Sequence, residues 1–283
     1  MPTIHRILVP TDFSPTAHNA FQFALGLAAA YQADIHLLHV ILPEMAPMDF
    51  PAPASSLMQR QTEAAEQAMQ AFSEYGTMQA TKVGVIKETP AITSEIEIGT
   101  PADVIRYVAG RQKADLVVMG ARGQHSVVDK LLGSVSTGAL SQLGIPVLIV
   151  PECAHFAGIK HAIIAVEMKE DAPAKTLELG QMLSPFSPAF HAVHFNLASA
   201  GPRIAAPDLE ALFAKTTQEL PIKFYVEATE EDEFSERLNA FIEANEGDLL
   251  VMYSPHRSWL ERLFHHSRTK EMAWQTKVPL LRV

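Results

Sequence analysis

Two stretches of the chain carry the residues best suited to chemistry. One closes a short apolar run, Ile7-Leu-Val-Pro10-Thr11-Asp12. The other reads Gly120-Ala-Arg122-Gly123-Gln-His125-Ser-Val-Val-Asp-Lys-Leu-Leu-Gly133-Ser134-Val135-Ser136. Glycines let a backbone approach an anion closely and accept positive φ. Gly133-Ser134 predicts the opening of a helix, whose free N–H groups and positive dipole end suit phosphates. Ser134 and Ser136 add hydroxyl donors. Asp12 offers an acceptor pair for a ribose, or for a metal ion on phosphates. Arg122 is placed either to reach a γ-phosphate or to stay in water. The run is not a Walker A loop, because no Lys follows Gly133, and it is not a G-x-G-x-x-G fingerprint. A bare G-x-x-G is equally a turn after a strand. The spacing to Gly133-Ser134, together with Asp12, makes it an expected phosphate loop.

Both stretches leave the ends of predicted strands. Ile7–Val9, Ile35–Val40, Ile96–Ile98, Leu116–Met119 and Val147–Val150 are apolar and β-branched, as strands covered on both faces are. Helices are predicted between them. Ser14-Pro15 is a start signal, with Ser as N-cap and Pro at the first helical position. Ala17, Ala20, Phe21, Ala24 and Leu25 then form one apolar face. Further helices are predicted over Ser56–Phe72 and Pro101–Arg111. The alternation implies an open parallel sheet with right-handed crossovers. In such a sheet a ligand binds at the carboxyl ends of the strands, where their order reverses. Residues 42–57 hold four prolines and predict a loop or lid.

The same unit then recurs. Arg6–Asp12 matches His161–Glu167 at an offset of 155, and Ala33–Val40 matches Pro188–Phe195 at the same offset. Both members of a His-x-x-His spacing, His36/His39 and His191/His194, recur together. Ala114–Gly120 matches Gly247–Tyr253, and Ile145–Val150 matches Val278–Val283, at an offset of 133. The second copy is therefore 22 residues shorter in its middle. The domains expected are 1–150 and 159–283, with 151–158 as a linker.

Composition narrows the function. The net charge is −10, with 9 Lys and Arg against 13 Asp and Glu in residues 1–150 and 13 against 19 in the rest. Neither half has the basic excess that a nucleic-acid backbone demands. The longest apolar stretch, Ala20–Ala30, is too short to span a bilayer, and the N-terminus does not read as a secretory signal. The single cysteine, Cys153, fits a reducing compartment, and a cytoplasmic location is expected.

Both halves resemble the universal stress protein (UspA-like) family. The residues that carry the likeness are Ile7–Asp12, Leu37-Leu-His-Val40, Gly99-Thr-Pro-Ala102, Ala114–Gly120 and the Gly-x2-Gly-x9-Gly-Ser run that marks the ATP-binding branch. The resemblance covers residues 3–150 closely and 160–283 more loosely. It implies a five-stranded parallel sheet of order 3-2-1-4-5 in each domain. It also implies pairing through the last strands, Val147–Val150 with Leu280–Val283, as a pseudo-dimer inside the chain. By the same resemblance Asp12 and Val40 hold the ribose and adenine end, with Pro10 and Thr11 lining the pocket. Met119 and Gly120 lie under the nucleoside. Gly123, Gly133, Ser134, Val135 and Ser136 cradle the phosphates. A homodimer of tandem chains is implied as well. The Mg expected with ATP near Asp12 follows from the type of that residue and not from the resemblance.

In the second copy Tyr253, His256 and His266 stand where the first has Gly120, Gly123 and Gly133. These bulky residues are expected to close the site there, or to admit a different anion at His256 or Arg257. The His265-His266 pair with His256 raises zinc only weakly, since a tetrahedral site needs three or four ligands. Trp259 and Trp274 read as packing residues. No general base and no phosphoryl acceptor with a partner is legible beside the γ-phosphate position. A bound nucleotide is thus expected to be a signal or structural ligand. The rivals are a slow ATPase or autophosphorylating enzyme, and a partner-binding scaffold using the acidic stretch Glu227, Glu230, Glu231, Asp232 and Glu233.

Overall fold

The structure is a computed structural model. It describes residues 4–43, 54–121, 135–136, 138–139, 143–197, 203–214, 220–253 and 277–283. The chain forms two compact units that meet in sequence between Ala157 and Gly158.

In the first unit the apolar runs become strands β1 (Arg6–Thr11), β2 (Asp34–Ile41), β3 (Ile92–Ile98), β4 (Leu116–Gly120) and β5 (Val147–Val150), in the order β3-β2-β1-β4-β5. All pairings are parallel. Ile7, Leu8, Val9, Val117 and Val118 have no exposed surface, because helices cover both faces of the inner strands. β3 begins four residues before the predicted Ile96. As an edge strand it alternates polar and apolar residues, so Thr93, Ser94 and Glu95 hid its first half.

Helix α1 (Pro15–Tyr31) starts as predicted, with the Ser14 hydroxyl accepting the Ala17 N–H. Helix α2 (Ala54–Lys82) runs ten residues beyond the predicted Phe72. Ser73, Gly76 and Thr77 are weak helix formers, and packing overrides them. A Cβ on Gly76 would lie 2.4 Å from the Phe21 ring, the Gly76 carbonyl accepts from Gln22 Nε2 at 2.7 Å, and Ala80 is fully buried. Helix α3 (Pro101–Gln112) follows its prediction to within a residue.

The expected linker is tied to the first unit. The Asn19 side-chain amide donates to the carbonyls of Pro151 at 2.8 Å and Ala154 at 2.6 Å. The Phe156 ring occupies the space where Gly26 lacks a Cβ.

The second unit contains β6 (His161–Ala165), α4 (Ala172–Met182), β7 (Ala189–Leu197), α5 (Ala206–Leu212), β8 (Ile222–Thr229), α6 (Phe234–Ala244), β9 (Leu249–Met252) and β10 (Leu280–Arg282). Its order, β8-β7-β6-β9-β10, repeats the first. The recurrence reaches single hydrogen bonds. Asp115 accepts from the N–H groups of His5 and Arg6, and Asp248 from those of Lys160 and His161. The left-handed residues Gln32 and Lys113 reappear at Ser187 and Glu246. Among the described residues, no helix is long and apolar enough to cross a membrane.

Candidate functional site

The strand order of the first unit reverses at β1, which has β2 on one side and β4 on the other. The connections out of β1 and β4 therefore open at the carboxyl edge of the sheet, where a ligand can enter. β1 and β4 pair at Ile7↔Leu116 and Leu8↔Val117, and by residue count Thr11 and Gly120 lie equally far beyond that ladder.

At the end of β1 the chain turns sharply. The Asp12 carboxylate accepts the Ser14 N–H at 3.1 Å, and the Thr11 hydroxyl accepts the Phe13 N–H at 3.0 Å. Phe13 takes a left-handed φ of 64° within this turn. The two side-chain bonds stand in for the ladder bonds that end with β1, and they fix the direction of the carboxylate.

His39 on β2 supports the same corner. Its Nδ1–H donates to the Thr11 carbonyl at 2.8 Å, and its ring stacks on Phe13 at 4.4 Å. A carbonyl only accepts, so the proton sits on Nδ1. The second unit repeats the contact: His194 Nδ1 donates to the Val166 carbonyl at 3.0 Å. His36 points to the other face, as the strand period requires. It lies between the Thr93 hydroxyl and the Glu95 carboxylate. Arg111 from α3 pairs with both Glu95 and Glu97, and these bonds raise its pKa.

Gly120 at the end of β4 is set by space. Its φ is not positive, yet a Cβ there would lie 2.9 Å from Thr16 Cγ2 and 3.1 Å from the Thr16 carbonyl group. The first turn of α1 therefore packs directly on this residue. The Ser136 hydroxyl donates to the Gly120 carbonyl at 2.9 Å and is buried. That bond commits Ser136 to holding the two ends of the loop together.

Of the residues expected at the site, Pro10, Thr11, Asp12, Val40, Met119, Gly120, Val135 and Ser136 are described. Pro10, Thr11, Met119 and Ser136 are buried, whereas Asp12, Val40, Gly120 and Val135 stay partly exposed. Arg122, Gly123, His125, Gly133 and Ser134 lie outside the described residues, as do His256, Arg257, Trp259, His265, His266 and Trp274. Phe13, Thr16 and His39 support the site without having been assigned to it. The Asp-x-Ser spacing of Asp12 and Ser14 is the signal for the turn that positions Phe13.

At the matching corner of the second unit, Glu167 pairs with Lys169. Tyr253, in the place of Gly120, directs its hydroxyl to Thr176 inside α4. Burial pushes this phenol above its usual range. The helix there begins at Ala172, two residues later than α1 does by the repeat. Among the described residues no group of three potential metal ligands gathers.

The family model for the universal stress protein family matches residues 3–151. The chain belongs to the universal stress protein family. A universal stress protein of Methanocaldococcus jannaschii is 29% identical over 148 residues, which is 51% of this chain and 81% of that protein. One of Mycolicibacterium smegmatis is 30% identical over 150 residues, 52% of this chain and 48% of that one. The crystal structure of a universal stress protein from Archaeoglobus fulgidus matches 98% of this chain and 95% of its own, with a TM-score of 0.67 at 18% identity, and so shares the fold.

Proposed function

We propose that this universal stress protein binds ATP, or a related adenine nucleotide, in its first unit and uses it as a regulatory ligand. One observation carries the reading. A carboxylate held by the Ser14 N–H ends β1, and a glycine-rich loop leaves the end of β4, the strand paired with β1 on the side away from β2. This is the reversal point of a parallel sheet. The residues present fit the ligand in kind. Asp12 suits ribose hydroxyls. Val40 and Val135 are partly exposed and apolar, as an adenine requires. Gly123, Gly133 and Ser134 supply the backbone and hydroxyl donors that phosphates need. Magnesium would accompany the phosphates, near Asp12.

The second unit is a decayed copy without this ligand. Tyr253 adds a large side chain where the first unit has no room for a Cβ. The association expected of the whole protein is a homodimer of tandem chains in the cytoplasm.

Protein purified without added nucleotide and then denatured tests the reading. Chromatography and mass spectrometry of the released material should find an adenine nucleotide, absent from the Gly133→Val variant. The same amount from wild type and variant would refute the assigned loop.

A further inference from the structure

We infer that the outer edge of β8 is a self-complementary surface through which two copies of this chain pair, strand against strand. It goes beyond the nucleotide reading and does not depend on it.

β8 ends the strand order of the second unit and pairs only with β7 among the described residues. Among the described residues its other edge has no strand partner, and the N–H and C=O groups along such an edge template a further strand. An open groove of about 610 Å³ runs beside it, lined by Ile222, Lys223, Phe224 and Tyr225 of the strand and by Glu210 and Ala214. Successive strand residues point to opposite faces. A groove that touches four in a row thus follows the edge of the strand rather than one face. Phe224, Tyr225 and Val226 are partly exposed on this strand.

The sequence of β8, Ile-Lys-Phe-Tyr-Val-Glu-Ala-Thr, selects the occupant. In a two-fold antiparallel pair centred on Tyr225, Lys223 faces Glu227 of the second copy, and the symmetry makes this contact twice. Phe224 faces Val226, and Ile222 faces Ala228. Such a contact is isologous and closes as a dimer. Opposite charges directly across a ladder stabilise it, and like charges destabilise it.

The edge strand of the first unit differs in this respect. β3 carries Glu95 and Glu97, so the matching pairing about Ile96 would set carboxylate against carboxylate. Arg111 of the same unit already occupies both groups. Among the described residues the β3 edge carries like charges in this pairing and the β8 edge carries opposite ones.

The test is sedimentation equilibrium of the full chain with three variants: Lys223→Glu, Glu227→Lys and the double charge swap. Wild type should associate from 31.0 kDa to a dimer in a concentration-dependent way. Each single variant places like charges across the ladder twice and should weaken association by about tenfold or more. The double swap restores opposite charges and should recover wild-type association. Far-UV circular dichroism of each variant checks that the fold is kept. A monomer at all concentrations overturns the inference. So does a dimer indifferent to the single variants, which would leave a homodimer standing but place its interface elsewhere. A double swap no better than its parents refutes the register.

Discussion

Replacing Gly120 with alanine tests the packing that shapes the candidate site. Carbon atoms in contact are most favourable at about 3.5–4.0 Å. The added Cβ would stand 2.9 Å from Thr16 Cγ2 and 3.1 Å from the Thr16 carbonyl carbon and oxygen. Thr16 is itself buried, in the first turn of a helix that the Ser14 cap and Pro15 hold in place. Neither partner can retreat cheaply. Forcing a methyl group into a packed core typically costs about 1–3 kcal/mol. No φ penalty adds to it, since Gly120 does not occupy the left-handed region. Urea unfolding of the full chain should show the loss, and heating should lower Tm by about 2–4 °C for each kcal/mol. Adding Thr16→Ser removes the nearer contact and leaves the backbone contact, so it should recover part of the loss. Unchanged stability for Gly120→Ala would refute the claim that space selects glycine here. A double variant no better than Gly120→Ala would show that Thr16 Cγ2 is not the obstruction.

Two further outcomes are expected. Ser14→Ala removes the acceptor for the buried Ala17 N–H and should destabilise the first unit by about 1 kcal/mol in urea unfolding. The second concerns His191, whose pKa is lowered first by burial and then by the positive charges of His161 and Lys223. It is packed between His161 and the Tyr225 hydroxyl, with Glu246 beyond His161. The unfolded chain takes up this proton first, so stability falls as pH drops below about 6.5 toward the folded value. Urea midpoints measured across that window should fall on acidification, and His191→Gln should flatten the slope. A wild-type slope of the opposite sign would contradict the burial of a neutral imidazole.

Much of this fold was legible because buried parallel strands leave a simple mark. Leu116–Met119 and Val147–Val150 are apolar on both faces, and their predicted limits hold to within one residue. The start of α1 was legible because Ser14 and Pro15 act locally. Features made by tertiary contact were not. The last ten residues of α2 depend on Phe21 fitting against Gly76, and no local signal records that partner. The segment after Val150 reads as a linker, yet Asn19 binds its carbonyls from far away in sequence. At the candidate site, Asp12 and Gly120 stood out by type and spacing. The reason for Gly120 did not, because it lies in Thr16. His39 reads as an ordinary strand histidine until its bond to Thr11 and its stack on Phe13 are seen. Ser136 reads as a phosphate donor by type, while its hydroxyl is engaged with Gly120.

The most direct test of the central claim is a calorimetric titration of nucleotide-free full-length chain with Mg-ATP, alongside the Asp12→Ala variant. Saturation at equimolar nucleotide, abolished by Asp12→Ala, is the result expected of a site in the first unit alone. Binding of twice that amount would place a ligand in the second unit despite Tyr253. No binding at millimolar ATP would contradict the nucleotide reading.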